Sequence, residues 1–268
     1  MPELPEVETL VRGIRDQVVG SVIEEVVLKT PSIVGHDPLF TGKVKGKTIV
    51  DVHRRGKYIW IGLDVGVLLV HLRMTGKLLF QAEVGPYDHI WFRFTNRNWM
   101  LYRDVRKFGR VLHFETPIEA QSYLEDRIGR EPLELDEVGF LELLGRRHGS
   151  IKSVLLDQRI IAGIGNIYAD EILFASRVHP KTAVDALHKS ELRRIHTQMT
   201  LILQTAIQAG GSTVRDYTDG NGQRGSFQDT HRVYGRAHLN CLTCGKVLEK
   251  TIAGGRTTVY CPICQKRR

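Results

Sequence analysis

Between residues 22 and 114 the apolar residues come in short runs. Beyond residue 130 they recur at helical spacing, so the chain divides in two by period alone. The runs fall at 22–28, 48–53, 58–63, 67–72, 77–80, 89–94, 99–102 and 110–114, rich in Val, Ile and aromatic residues, with Gly and polar turns separating several of them. Such a series predicts an antiparallel sandwich or barrel. A helix precedes it, because Leu4, Val7, Leu10, Val11, Ile14 and Val18 lie three and four residues apart, with Pro5 in the first turn and Gly20 just past the end. After Gly129–Pro132, read as a linker, short helices are expected at 151–158 and 167–176 around the glycine turn Ile161-Ala-Gly-Ile-Gly-Asn166. A longer helix is expected over 185–209, ended by Gly210-Gly211, and the polar, glycine-containing stretch 216–230 reads as a loop. The expected class is therefore α+β in two domains. An antiparallel β-sandwich domain flanked by helices takes residues 1–130, and a linker with a first helical region takes 131–150. A helical domain takes 151–237, and a cysteine-bearing module takes 238–268.

All four cysteines lie in the last 28 residues, as Cys241-x-x-Cys244 and, sixteen residues on, Cys261-x-x-Cys264. Each pair can straddle a tight turn, and two such turns bring four thiolates around one structural zinc ion with no open coordination position. The segment between the pairs reads as a hairpin bent at Gly254-Gly255, with Arg256 near its tip. Residues 241–268 hold six Lys or Arg against one Glu, and the whole chain carries 38 Lys and Arg against 30 Asp and Glu, a net +8. That balance draws the chain to polyanions. No segment reaches the ~20 apolar residues of a membrane helix. The acidic start lacks a signal-peptide core, so a cytosolic protein is expected.

The N-terminus carries a second signal. Removal of Met1 before the small Pro2 would leave a secondary amine, and α-amino groups titrate near 7.7–8.0 against about 10.4 for Lys. Such an amine can attack a sugar C1′ and form an iminium. Glu3 and Glu6 lie close by in the sequence, where a carboxylate can move protons or cap the helix.

Pro2-Glu-Leu-Pro-Glu-Val-Glu-Thr9 resembles the opening of the formamidopyrimidine-DNA glycosylase (8-oxoguanine DNA glycosylase) family, bacterial type. Arg54-Arg-Gly-Lys-Tyr58, His71-Leu-Arg-Met-Thr-Gly-Lys77, Asp104-Val-Arg-Lys-Phe-Gly109, Gly163-Ile-Gly-Asn-Ile-Tyr-Ala169, Gly210-Gly-Ser-Thr-Val-Arg215 and the cysteine module are similar to its motifs, in its order and over nearly the whole chain. The resemblance implies a helix-two-turn-helix module and a bifunctional enzyme that excises oxidised purines from damaged double-stranded DNA and then nicks the strand by β,δ-elimination. It implies Pro2 as nucleophile, Glu3 as acid/base, and Lys57 as a phosphate-binding catalytic lysine. Met74, Arg106 and Phe108 would be the residues that fill the base stack, and Asn166 and Arg256 a phosphate-gripping pair. Arg215 would lie near the lesion pocket, under a capping loop at 216–230, and His89 would be a DNA contact. Zinc is the one implied cofactor, the protein is expected to act as a monomer at the bacterial nucleoid, and DNA is expected to lie in a basic cleft between the domains. Tyr87-Asp88-His89 departs from a His-Asp-His stretch common in the family, and Val105 and Lys107 are variants in the wedge loop. Two alternatives remain open: the sister glycosylase for oxidised pyrimidines and a non-catalytic zinc-finger DNA-binding protein. Leu4 and the Arg106–Phe108 wedge favour the purine enzyme.

Overall fold

A computed structural model describes residues 1–81, 83–213, 217, 218, 220 and 222–267. The chain forms two compact units, one of Met1–Asp126 with Ala209–Ser226, the other of Arg127–Gln208 with Phe227–Arg268. Segment 209–226, which chain order would place in the 151–237 block, packs with the first unit.

The first unit begins with α1 (Leu4–Val18), whose apolar stripe is buried as its spacing predicts. Eight strands follow: β1 (Ile23–Leu28), β2 (Ile49–Arg55), β3 (Tyr58–Leu63), β4 (Val67–His71), β5 (Gly76–Phe80), β6 (Asp88–Phe94), β7 (Trp99–Asp104) and β8 (Arg110–Phe114). They make two antiparallel four-stranded sheets, ordered β1-β6-β7-β5 and β2-β3-β4-β8. Every residue of β3 and β4 is buried, because these two strands are central in their sheet and α1 and later elements cover it. One continuous core joins α1 to both sheets through Val7, Leu10, Ile14, Ile59, Val70, Phe92 and Tyr102. Arg15 anchors α1 to β2 by donating from Nε to Val52 O at 2.8 Å. The expected strands all form. Three short elements carry no clear period in the sequence: a 3₁₀ turn at Pro31–Val34, the five-residue α2 (Phe40–Val44), and α3 (Pro117–Glu125), whose N-cap Thr116 accepts from Glu119 N.

The second unit contains α4 (Glu137–Gly145), α5 (Ile151–Leu156), α6 (Asn166–Ala175), α7 (Lys189–Gln208) and the hairpin β9 (Glu249–Ala253) and β10 (Arg256–Tyr260). The stretch read as a linker is held in place. Gly129 N and Arg130 N donate to Gln158 O and Ile160 O, and Ala162 N donates back to Arg130 O. A Cβ on Gly129 would collide with Arg159 O and Ile160 O, so only glycine lets the two backbones approach.

Candidate active site and DNA interface

In the first unit the N-terminus is fixed by a capping box. Glu6 Oε2 accepts the Glu3 backbone N–H at 2.8 Å, and the Glu3 side chain accepts from the third helical residue in return. Glu6 Oε1 accepts a second buried N–H, from Ser212 at 2.7 Å, and Tyr217 Oη donates to Glu6 O at 3.1 Å. Gly211, with φ +79°, lies so close that a Cβ there would meet the Glu6 side chain at 2.8 Å. One carboxylate thus ties the start of α1 to a backbone 206 residues away. Pro2 and Glu3 are buried beside it, while Met1 is exposed. With Met1 in place the Pro2 nitrogen is an amide, and removal of Met1 would free it as a secondary amine.

Lys57 stands in the β2–β3 turn, after Gly56 at φ +58°, and is itself buried. Glu8 on α1 steadies this turn by accepting from Arg54 Nε at 3.1 Å, and Arg54 Nη1 donates to Gly56 O. His71, at the end of β4, is a neighbour that lies within a family-like motif but to which the resemblance gave no role. Burial, then the nearby cations of Arg73 and Lys57, push its pKa down to about 3. It is therefore neutral, and its Nδ1 accepts the Arg73 N–H at 3.1 Å.

Met74 is exposed on the turn after β4, and Arg106 and Phe108 on the turn after β7. The Arg106 guanidinium lies over the Phe108 ring, 4.4 Å from its centroid. His89 is placed differently from an open DNA contact. It is buried, its Nε2 donates to Asp104 O at 2.8 Å, and its Nδ1 is bonded to Thr30 Oγ1 at 2.9 Å. The same strand end holds Asp88, fully buried and paired with Arg103 at 2.6 Å.

In the second unit the glycine turn between α5 and α6 is built on Gln158. Its amide donates to Leu156 O and Ile164 O and accepts from Gly163 N, where φ is +87°. Asn166 opens α6, where backbone N–H groups and the helix dipole favour an anion. Its Nδ2 donates to Thr257 O at 3.0 Å, so it sits beside exposed Arg256. Its Oδ1 is buried without a partner among the described residues. Beneath them Lys152 Nζ, fully buried, donates to Asp170 at 2.5 Å and to Thr258 at 2.6 Å, joining α5, α6 and β10. Burial pushes the Asp170 carboxyl up and Lys152 opposes it. Glu171 accepts the N–H groups of Arg232, Val233 and Tyr234 and so fixes the approach to the finger.

The ligand atoms of Cys241, Cys244, Cys261 and Cys264 all lie within 4.8 Å of one another. Sγ atoms of 241 and 264 are 3.9 Å apart, and those of 244 and 261 are 3.5 Å apart. Tetrahedral thiolates at a Zn–S distance of about 2.3 Å would stand about 3.8 Å apart, so the four residues fit a closed metal site. Arg215 lies outside the described residues, as do positions 216, 219 and 221 of the stretch read as a capping loop. Among the described residues no helix is long and apolar enough to cross a membrane.

The chain thus joins a capped N-terminal helix on a β-sandwich, a glycine turn between two helices and a four-cysteine hairpin. Residues 1–111 match the formamidopyrimidine-DNA glycosylase N-terminal domain, and residues 128–218 match the H2TH domain of the same enzymes. Proteins called formamidopyrimidine-DNA glycosylase from Bacillus cereus and Streptococcus mutans are each 42% identical over the full length of both chains. Two Lactococcus lactis structures, a mutant Fpg with DNA containing Fapy-dG and Fpg with DNA containing an abasic site, match with a TM-score of 0.92 at 36% identity. Each match covers 99% of this chain and 100% of the other. The chain belongs to the formamidopyrimidine-DNA glycosylase family. It is a DNA-binding enzyme of base-excision repair, a DNA glycosylase with abasic-site lyase activity.

Proposed function

We propose that the chain excises oxidised purines, 8-oxoguanine and formamidopyrimidines, from double-stranded DNA and cuts the strand by β,δ-elimination. The observation that carries this reading is the capping box that seats Pro2 and Glu3, with Glu6 holding both Glu3 and Ser212 in place. Freed of Met1, the Pro2 amine attacks C1′ and the bond to the base breaks, the base leaving with a proton for which Glu3 is the acid/base partner. The sugar ring then opens as the C1′–O4′ bond breaks and O4′ takes a proton, and the resulting iminium acidifies the C2′ hydrogen. Its removal expels the 3′ phosphate, and a second elimination expels the 5′ phosphate. Lys57 grips a phosphate at the lesion.

Before this chemistry the damaged base must leave the stack. Met74, Arg106 and Phe108 fill the hole, with the Arg106 fork on the orphaned cytosine. Asn166 and Arg256 hold backbone phosphate. Arg215 and the 216–230 stretch belong to lesion recognition. His89 serves DNA binding through the loop it supports. One zinc ion on the four cysteines orders the hairpin and takes no part in the reaction. The protein acts as a monomer, in the bacterial cytoplasm at the nucleoid.

Borohydride trapping on 8-oxoguanine:C duplex tests this, with Met1 removal verified by intact mass. A trimmed chain is expected to form a covalent adduct, and a chain retaining Met1 to lose it by more than about a thousandfold. An adduct from the Met1-bearing chain would place the nucleophile elsewhere, and preferential release of thymine glycol would move the substrate to oxidised pyrimidines. If about six phosphates are neutralised, affinity falls around a thousandfold between 50 and 200 mM salt, and a flat response would reject phosphate-dominated binding.

A further inference from the structure

The two loops that carry Met74 and the Arg106–Phe108 pair are separate in sequence but rooted in one buried carboxylate. Asp104 is fully buried. Its Oδ1 accepts from Thr75 Oγ1 at 2.5 Å and from the Arg106 N–H at 3.2 Å. Its Oδ2 accepts from the Gly109 N–H at 2.8 Å and from Tyr102 Oη at 3.3 Å. The Arg106 N–H also reaches Thr75 Oγ1, at 3.3 Å. Thr75 is next to Met74, and Gly109 is next to Phe108, so this one side chain holds the root of each loop.

The same frame shows in the crowding around Tyr102. A Cβ on Gly76 would stand 2.8 Å from the Tyr102 hydroxyl and collide with Leu72 O, and one on Gly109 would overlap that hydroxyl outright. His89 grips the Asp104 carbonyl from the other side and is itself held by Thr30. Each loop also contains a non-glycine residue in the left-handed region, Arg73 at φ +52° and Lys107 at φ +56°. Such a conformation persists only where the surroundings impose it.

We propose that Asp104 is a positioning residue for base extrusion, and that its bond to Thr75 locks the two loops into a single wedge. This rests on the reading of Met74, Arg106 and Phe108 as the residues that enter the base stack. The consequence is specific. Arg106 faces the orphan base in the correct register only while Met74 is held with it, so discrimination of the opposite base depends on a hydroxyl that touches no DNA. Cutting at a site already without its base needs no base extrusion and depends on the lock far less.

The test uses the full-length, Met1-trimmed protein in single-turnover assays on duplexes with 8-oxoguanine opposite C, 8-oxoguanine opposite A, and a preformed abasic site opposite C. Thr75→Val keeps the volume and removes the donor, and Thr75→Ser keeps the donor. A hydrogen bond to a charged group contributes enough that Thr75→Val should slow base release about tenfold, shrink the preference for C over A, and change abasic-site cutting by less than about threefold. Thr75→Ser should restore both base release and preference. The proposal is overturned if Thr75→Val keeps the parent rate and preference, if the Val and Ser variants fall alike, or if all three substrates slow equally. Met74→Ala/Phe108→Ala separates the two levels. If it releases base undiminished, the wedge reading itself fails; if it is impaired while Thr75→Val behaves as the parent, only the coupling fails.

Discussion

Both units of this chain hold loops with buried carboxylate hubs, and they differ in what is added to them. In the first, buried carboxylates act as hubs for hydrogen-bond donors. Glu6 gathers two backbone N–H groups, and Asp104 gathers two more together with two hydroxyls. The second has such a hub too, Glu171 with the N–H groups of Arg232, Val233 and Tyr234, and adds the fully buried ion pair Lys152–Asp170, with Thr258 as its third member, and four cysteines that fit a metal site. A hub aims short loops in fixed directions, as the proposed nucleophile and wedge require. An ion pair joins whole elements, as a hairpin riding on helices requires. The difference is therefore one of reach: the sandwich supplies its own rigid frame, whereas the small cluster of Phe174, Val233, Leu248, Val259 and two cysteines beneath the hairpin needs a cross-link.

Metal removal should break the comparison most visibly. Structural zinc contributes about 10–16 kcal/mol of apparent binding energy in isolated fingers. Chelation, or Cys261→Ser, is expected to abolish hydrogen-exchange protection in β9 and β10 and to weaken duplex binding by at least about a hundredfold, with protection in β3 and β4 kept. Equal loss in the sandwich would mean that the two anchoring schemes are one. The ion pair is the next lever. Lys152→Met alone leaves a buried carboxylate without its cation and should cost about 3–5 kcal/mol in calorimetric unfolding, whereas Lys152→Met/Asp170→Leu should recover most of it. A double variant as unstable as the single one would show that Thr258 or packing, not charge, holds the site.

Acid gives the most gradual effect. His71 in the first unit is pushed down to about 3 and His231 in the second to about 4, each chiefly by burial. Both bind a proton less readily when folded than the ordinary value near 6.5, so their stability contributions are intact above that pH and are lost as the pH falls toward 3 and 4. The slope should approach about 1.4 kcal/mol per pH unit for each histidine at most. His71→Gln should flatten it for urea unfolding followed by tryptophan fluorescence. An unchanged slope would remove His71 from the account.

Much of this was legible in advance where period and spacing speak locally. The stripe Leu4–Val18 buried itself, the runs from 22 to 114 became eight strands, and the two cysteine pairs closed around Gly254-Gly255. Short elements escaped, because Phe40–Val44 and Pro117–Glu125 are too brief to display a period, although Thr116 three residues before Glu119 was a usable cap signal. Family motifs named the residues of the candidate site but not their supports. Glu6 meets Ser212 across 206 positions and Lys152 meets Thr258 across 106, and nothing local pairs them. His89, which the resemblance implies as a DNA contact, shows the same gap: nothing in the sequence marks the bonds of its two ring nitrogens to Asp104 O and Thr30 Oγ1.

The tyrosine hydroxyl wedged against Gly76 and Gly109 carries a lesson for anyone who would retune this enzyme. With both loop ends closed to any larger side chain, diversity belongs on the exposed rim, at Val105 rather than at Lys107 with its left-handed backbone. Variation there leaves the scaffold beneath unaltered.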